Sequence, residues 1–160
     1  MRRVLRQSGR TALSVYSPIE RTPGANAFVV ALDEVLGADA SRIKRGEHSF
    51  ADPTQLETLL EDAGFRAIDV QTVIQTIAFP SVLDYVRFQL LATPMTVLLA
   101  DRTEPEREGI ISSVASRATG PIGAGDARRR QIHLPSGSVR RGRIERCLML
   151  RFPVVVAHVR

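Results

Sequence analysis

Arg2-Arg3-Val4-Leu5-Arg6-Gln7-Ser8-Gly9-Arg10-Thr11-Ala12-Leu13-Ser14-Val15-Tyr16 is the stretch on which the fold turns. Its first half has helical propensity and carries cations that suit a helix C-terminus. Gly9 stands where a left-handed C-terminal cap sits. Residues 11–16 then predict a strand with small or apolar side chains on both faces. Such a strand belongs inside a parallel sheet, with neighbours on either side. Open α/β sheets place ligands at the C-terminal ends of their strands. Tyr16, Ser17 and Glu20 occupy that end here, and they are candidate substrate-binding residues.

Working outward, residues 17–24 contain two prolines and a glycine and predict a loop. Phe28, Ala31, Leu32, Val35 and Leu36 fall on one helical face, and Gly37 ends that helix. Residues 38–51 are polar and aperiodic, and predict irregular chain. Asp52-Pro53-Thr54-Gln55 is a helix start: Asp52 can cap, Pro53 has the φ that the first helical position wants, and Gln55 can complete a capping box. Leu56, Leu59, Leu60 and Ala63 form its apolar stripe, and Glu57, Glu61 and Asp62 its solvated face. Gly64 closes it. Residues 65–79 predict a strand long enough to need a bulge or bend.

Pro80-Ser81 opens a further helix with Val82, Tyr85, Val86 and Leu90 inward. Thr93-Pro94 starts a short helical segment through Leu99. Thr103-Glu104-Pro105-Glu106 is a capping box for a helix carrying Ile110, Ile111 and Val114. From Ala118 the texture changes to Gly, Ser, Pro and Arg without period, and Gly120-Pro121-Ile122-Gly123-Ala124-Gly125 predicts a loop. Only the final residues, with Val154-Val155-Val156-Ala157-His158-Val159, recover a strand. The expected organisation is therefore an α/β body over 1–117, an irregular segment over 118–149, and a possible final strand over 150–160.

Charge divides at the same place. The 160 residues carry a net charge of +5. Residues 1–117 hold 13 basic and 15 acidic side chains, whereas residues 118–160 hold nine arginines against Asp126 and Glu145. The basicity is thus a property of the last quarter. That segment has one aromatic, Phe152, and no helical period, which suits a solvated chain better than a nucleic-acid module. Its wording is what a GC-rich gene gives when read out of frame. A non-enzymatic binding module using this tail for nucleic acid or a partner chain is the alternative functional class.

The body resembles the C-terminal part of a class I S-adenosylmethionine-dependent methyltransferase, of the small-molecule type related to quinone-biosynthesis C-methylases. The resemblance rests on the order of three stretches: residues 1–16, Asp52-Pro53-Thr54-Gln55-Leu56 through Glu61-Asp62-Ala63-Gly64-Phe65, and Phe79-Pro80-Ser81 with Gln89-Leu90-Leu91-Ala92-Thr93-Pro94. It implies a Rossmann-like doubly wound sheet with a helical insertion that covers the substrate. It implies a small-molecule methyl acceptor and S-adenosylmethionine as donor. The family's donor site is built from strands that would lie before Met1, so weak or no donor binding is expected of this chain alone. An open sheet edge is expected to take a complementary chain or a second copy. A cytoplasmic location is expected, because no apolar run spans a bilayer and the basic N-terminus lacks the apolar core of a secretory signal.

Phe50, Phe79, Phe88 and Met95 are candidates for an apolar substrate lining under the insertion, core packing being the more frequent role of such residues. Methyl transfer from a sulfonium needs positioning more than a nucleophilic side chain, so no catalytic residue is assigned. His48, His133 and His158 share no ligand spacing with Cys147, the single cysteine. No metal site is expected, and a single cysteine excludes an internal disulfide.

Overall fold

The computed structural model describes residues 2–6, 9–50, 52–126 and 148–159. Cys147, His133 and the arginines between residues 127 and 147 lie outside the described residues, as do Gln7 and Ser8 of the opening stretch.

Among the described residues, three strands form one sheet: β1 (Thr11–Tyr16), β2 (Asp69–Phe79) and β3 (Leu148–Val159). Their order is β1-β3-β2, with β3 antiparallel to both neighbours. It follows that β1 and β2 run in the same direction and that their C-terminal ends lie at the same end of the sheet. The expected doubly buried β1 is not what forms. It is an edge strand of this sheet with alternate residues exposed, and its partner is antiparallel. The strand buried on both faces is β3, at the sheet centre. Its Val154, Val155, Ala157 and Val159 are all buried.

The second edge, β2, begins later than the apolar run suggests. Gly64 at φ 81° and Ala67 at φ 48° turn the chain, so Phe65 packs as a buried loop residue before the strand starts. No bulge interrupts it. Its register runs one to one from Asp69 opposite His158 to Phe79 opposite Leu148. Val73, Ile74 and Ile77 on this strand remain exposed.

Among the described residues there are five α-helices, α1 (Pro23–Leu36), α2 (Arg42–Gly46), α3 (Pro53–Asp62), α4 (Val82–Leu91) and α5 (Glu104–Asp126), of which α1, α3, α4 and α5 pack on the two faces of the sheet. One face of β3 carries Leu150 and Phe152 into a core with Phe28 and Leu32 of α1, Tyr85 and Leu90 of α4, and Ile111 and Val114 of α5. The opposite face sets Val155, Ala157 and Val159 against Leu56 and Leu60 of α3 and against Phe65. The molecule is thus a mixed α/β structure with helices on both sides of a small antiparallel sheet.

The helix signals are met where capping chemistry is local. The Asp52 carboxylate accepts from the Thr54 N–H at 2.9 Å. The Ser81 hydroxyl accepts from the Asp84 N–H at 3.1 Å. The Glu106 carboxylate reaches back to the Thr103 N–H at 2.8 Å. Gly37 and Gly64 follow α1 and α3 with the positive φ that only glycine adopts freely. Two expectations fail. Leu59 is 46% exposed, so the buried stripe of α3 is Leu56 and Leu60. And α5 runs through the change of texture at residue 118, taking in the stretch from Gly120 to Gly125 that predicts a loop. Ala118 and Ile122 are wholly buried in the main core. Their burial outweighs the weak propensity of Gly120 and of Pro121, which has no N–H for the Arg117 carbonyl. The segment 38–51 is likewise not irregular throughout, since it contains α2.

Candidate functional site

The C-terminal end of β1 carries a polar cluster drawn from three elements and the residues that directly follow them. Tyr16 ends the strand, and Ser17 follows it, buried. Glu20 lies in a 3-10 turn at Ile19–Arg21. Lys44 belongs to α2, and Glu47 and His48 come directly after it.

His48 is 6% exposed. Its ring stacks on Tyr16 with centroids 5.0 Å apart. Its Nδ1 lies 2.7 Å from the Ser17 carbonyl oxygen. A carbonyl only accepts, so Nδ1 must carry the hydrogen. In the neutral ring, Nε2 is then a bare lone pair. Burial pushes the imidazole below its usual range. The Ser17 carbonyl opposes that, the Lys44 ammonium adds to it, and the Glu47 and Glu20 carboxylates oppose it further. The neutral ring therefore dominates at pH 7.

Lys44 is almost fully buried. Its ammonium is 2.7 Å from the Glu47 carboxylate and sits over the Tyr16 ring, 5.4 Å from its centroid. The segment carrying these groups is tied to α1 through Asp33. That carboxylate accepts from the Ser41 N–H and the Ser41 hydroxyl, each at 2.8 Å, and from Arg45 at 3.2 Å.

The C-terminal end of β2 supplies an aromatic wall. Phe79 lies edge-on to Tyr85 at 5.1 Å and tilted against Phe88 at 5.9 Å. Tyr85 also meets Phe28 and Phe152. Tyr85 is wholly buried, and its hydroxyl has no hydrogen-bond partner. Burial pushes its ionisation up, with smaller contributions from Glu47 and Tyr16, so the group is a neutral O–H. Tyr85→Phe is expected to raise stability by about 1 kcal/mol, because it deletes a buried donor that is not satisfied. A melting point raised by about 2–4 °C checks this.

Of the residues proposed from sequence, Tyr16, Ser17 and Glu20 fall in the cluster. Phe79 faces the neighbouring helix α4. Phe50 is half exposed, and Met95 is core. His48 shares no ligand spacing in the sequence and carries no role there. Its role is visible only across the 31 residues between it and Ser17. Two open grooves are found among the described residues, and the second of them reaches Glu20. One of about 430 Å³ is at the opposite end of the sheet, lined by Arg10, Asp69 and His158 among others. One of about 310 Å³ lies between α1 and α5.

No protein-family model matches the chain, and no curated protein matches it. No helix among the described residues is long and apolar enough to cross a membrane.

The His48 environment makes stability depend on pH. A histidine whose folded pKa is depressed stabilises the fold above its unfolded value of about 6.5, and that contribution is lost as pH falls through the folded pKa. Unfolding free energy is expected to decline from pH 7 towards pH 5, and His48→Gln should flatten the decline. Equal slopes for the two proteins would refute the assignment.

Proposed function

We propose that the chain forms the acceptor-binding side of an S-adenosylmethionine-dependent methyltransferase acting on a small molecule. The observation that carries this reading is the convergence at one sheet end. The edge strands β1 and β2, which run in the same direction on either side of the antiparallel β3, end there, with helices in the chain between them. The His48 cluster lies at one strand end, and the Phe79–Tyr85 aromatic wall under α4 lies at the other. That is where a sheet of the doubly wound kind holds its ligand.

The described residues do not fit the methyl donor. A nucleoside-type cofactor needs a Gly-rich turn or free backbone N–H groups where a strand meets a helix. Here β1 runs into Ser17-Pro18 and β2 into Pro80-Ser81, and proline offers no N–H. The Gly120–Gly125 stretch lies inside α5, where the backbone is spent on the helix. No step is therefore routed through the donor. What these residues do is hold an acceptor: the aromatic rings supply an apolar wall, and Ser17 fixes the tautomer of His48.

Calorimetric titration of the full chain tests the reading. Heat is expected with small hydroxylated aromatic acceptors and not with S-adenosylmethionine. Micromolar donor binding would overturn the division between donor and acceptor sides. Absence of binding by every acceptor at millimolar concentration would overturn the function.

A further inference from the structure

Residues 41–48 lie as a strap against the C-terminal end of β1, and the polar contacts that fasten them depend on protonation states. One end is tied to α1. The Asp33 carboxylate accepts from the Ser41 N–H and hydroxyl at 2.8 Å each, and from Arg45 at 3.2 Å. The other end closes on the strand. The Lys44 ammonium is 2.7 Å from the Glu47 carboxylate and 5.4 Å from the centroid of the Tyr16 ring. His48 stacks on the same ring at 5.0 Å and gives its Nδ1–H to the Ser17 carbonyl at 2.7 Å.

The closed strap suits a neutral His48 and not a charged one. Nε2 is buried without a partner. A proton there makes a donor that no acceptor meets. Glu47 is taken by Lys44, and neither it nor Glu20 of the adjoining turn bonds Nε2. The proton also sets a second cation against the Tyr16 ring, which Lys44 already overlies. The Pro94–Leu99 turn, which also lies against α2, bears no titratable side chain. Asp33 responds far lower on the pH scale, because its Ser41 and Arg45 donors favour the charged carboxylate.

We propose that residues 41–48 form an acid-released strap, hinged at Asp33 and Ser41 and let go at His48, which uncovers Tyr16 and Ser17 at the end of β1. In the released strap His48 has its ordinary value of about 6.5, whereas burial holds it lower in the closed form. The released form therefore takes up the proton more readily. Release grows by at most about tenfold per unit of pH below that value, and levels off once the closed form is itself protonated. Below about pH 4 the Asp33 hinge is lost as well. The strap acts through these contacts whether or not the chain holds a methyl acceptor.

Native-state hydrogen exchange of the full chain, corrected for the intrinsic rate at each pH, tests the strap. The Glu47 and His48 amides bond to the Ile43 and Arg45 carbonyls within it. Their protection is expected to fall about threefold to tenfold between pH 7 and pH 5. The Ser41 amide, bonded to Asp33 at the hinge, should stay the better protected at both values. Small additions of urea should leave the Glu47 and His48 rates unchanged while raising those of Ile111 and Val114 in the core, because release exposes little surface. The ¹⁵N resonances of the His48 ring should titrate together with the loss of protection. His48→Asn places an amide N–H near the position of Nδ1 and takes up no proton, so its strap amides should not respond to pH. Equal protection at pH 7 and pH 5 would overturn the proposal. So would a core-like urea dependence at Glu47 and His48, or a pH response that His48→Asn retains.

Discussion

Val155→Asp is expected to leave the chain without a cooperative folded state. Val155 is 1% exposed in the central strand, paired with Val15 of β1 on one side and Thr72 of β2 on the other. Its side chain packs in the cluster that joins α3 to the sheet. A carboxylate there loses its hydration and faces Leu56, Leu60 and Phe65. Effective penalties for an unpaired buried charge run to several kcal/mol, and the lost apolar burial adds about 2 kcal/mol. Domains of this size have about 5–15 kcal/mol in total. Loss of the sigmoidal thermal transition in circular dichroism is the expected reading. Val155→Ala, which keeps the strand and removes two methyl groups, should still melt cooperatively at a lower temperature. If Val155→Asp melts within a few degrees of the parent, this core is not what holds the helices to the sheet.

Asp33→Ala should cost about 2–4 kcal/mol, because it strips three donors at once. Hydrogen bonds to a charged partner contribute about 1.5–3 kcal/mol each in protected settings. Ser41 is wholly buried, so its N–H and hydroxyl would be left without an acceptor. Arg45, more exposed, should contribute little. Burial works to raise the Asp33 carboxyl, but the Ser41 N–H and hydroxyl, with Arg45, hold it below the usual carboxylate range. Its stabilising effect is therefore present above about pH 4 and is lost as pH falls through the folded value. Urea unfolding gives the magnitude, and hydrogen exchange at the Ser41 amide tells whether the loss is local. Asp33→Asn, which retains one carbonyl acceptor, should fall between the two. A change below about 0.5 kcal/mol, the ordinary range for surface substitutions, would mean that the Ser41 contacts do not anchor the segment bearing His48.

Much of the fold was legible because its punctuation is local. Asp52-Pro53, Pro80-Ser81 and Thr103 with Glu106 each satisfy helix N–H groups within three residues of the start, and a linear reading sees that. Gly37 and Gly64 announce chain reversals for the same reason. What could not be read was set by contacts between distant segments. Nothing in Thr11–Tyr16 says that its partner begins at residue 154 and runs antiparallel. Gly120-Pro121 reads as a break until Ala118 and Ile122 are seen packed into the main core. The site divides likewise. Tyr16, Ser17 and Glu20 were found from their position after a strand. His48 was missed because its meaning depends on a carbonyl 31 residues away, and a search for metal spacing asks a different question of a histidine.

The β2 edge has a consequence for handling the protein. From Val70 to Phe79 there is no charged residue and no proline, and Val73, Ile74 and Ile77 face solvent. Edge strands usually carry a lysine, a proline or a bulge that discourages pairing with another molecule, and this one has none of the three. Ten residues of Val, Gln, Thr, Ile, Ala and Phe also meet the composition from which fibrils grow. The strand is thus a template for its own copies. In concentrated solutions, and in refolding before β3 has paired with it, turbidity and thioflavin binding should rise with concentration while the dilute protein stays clear.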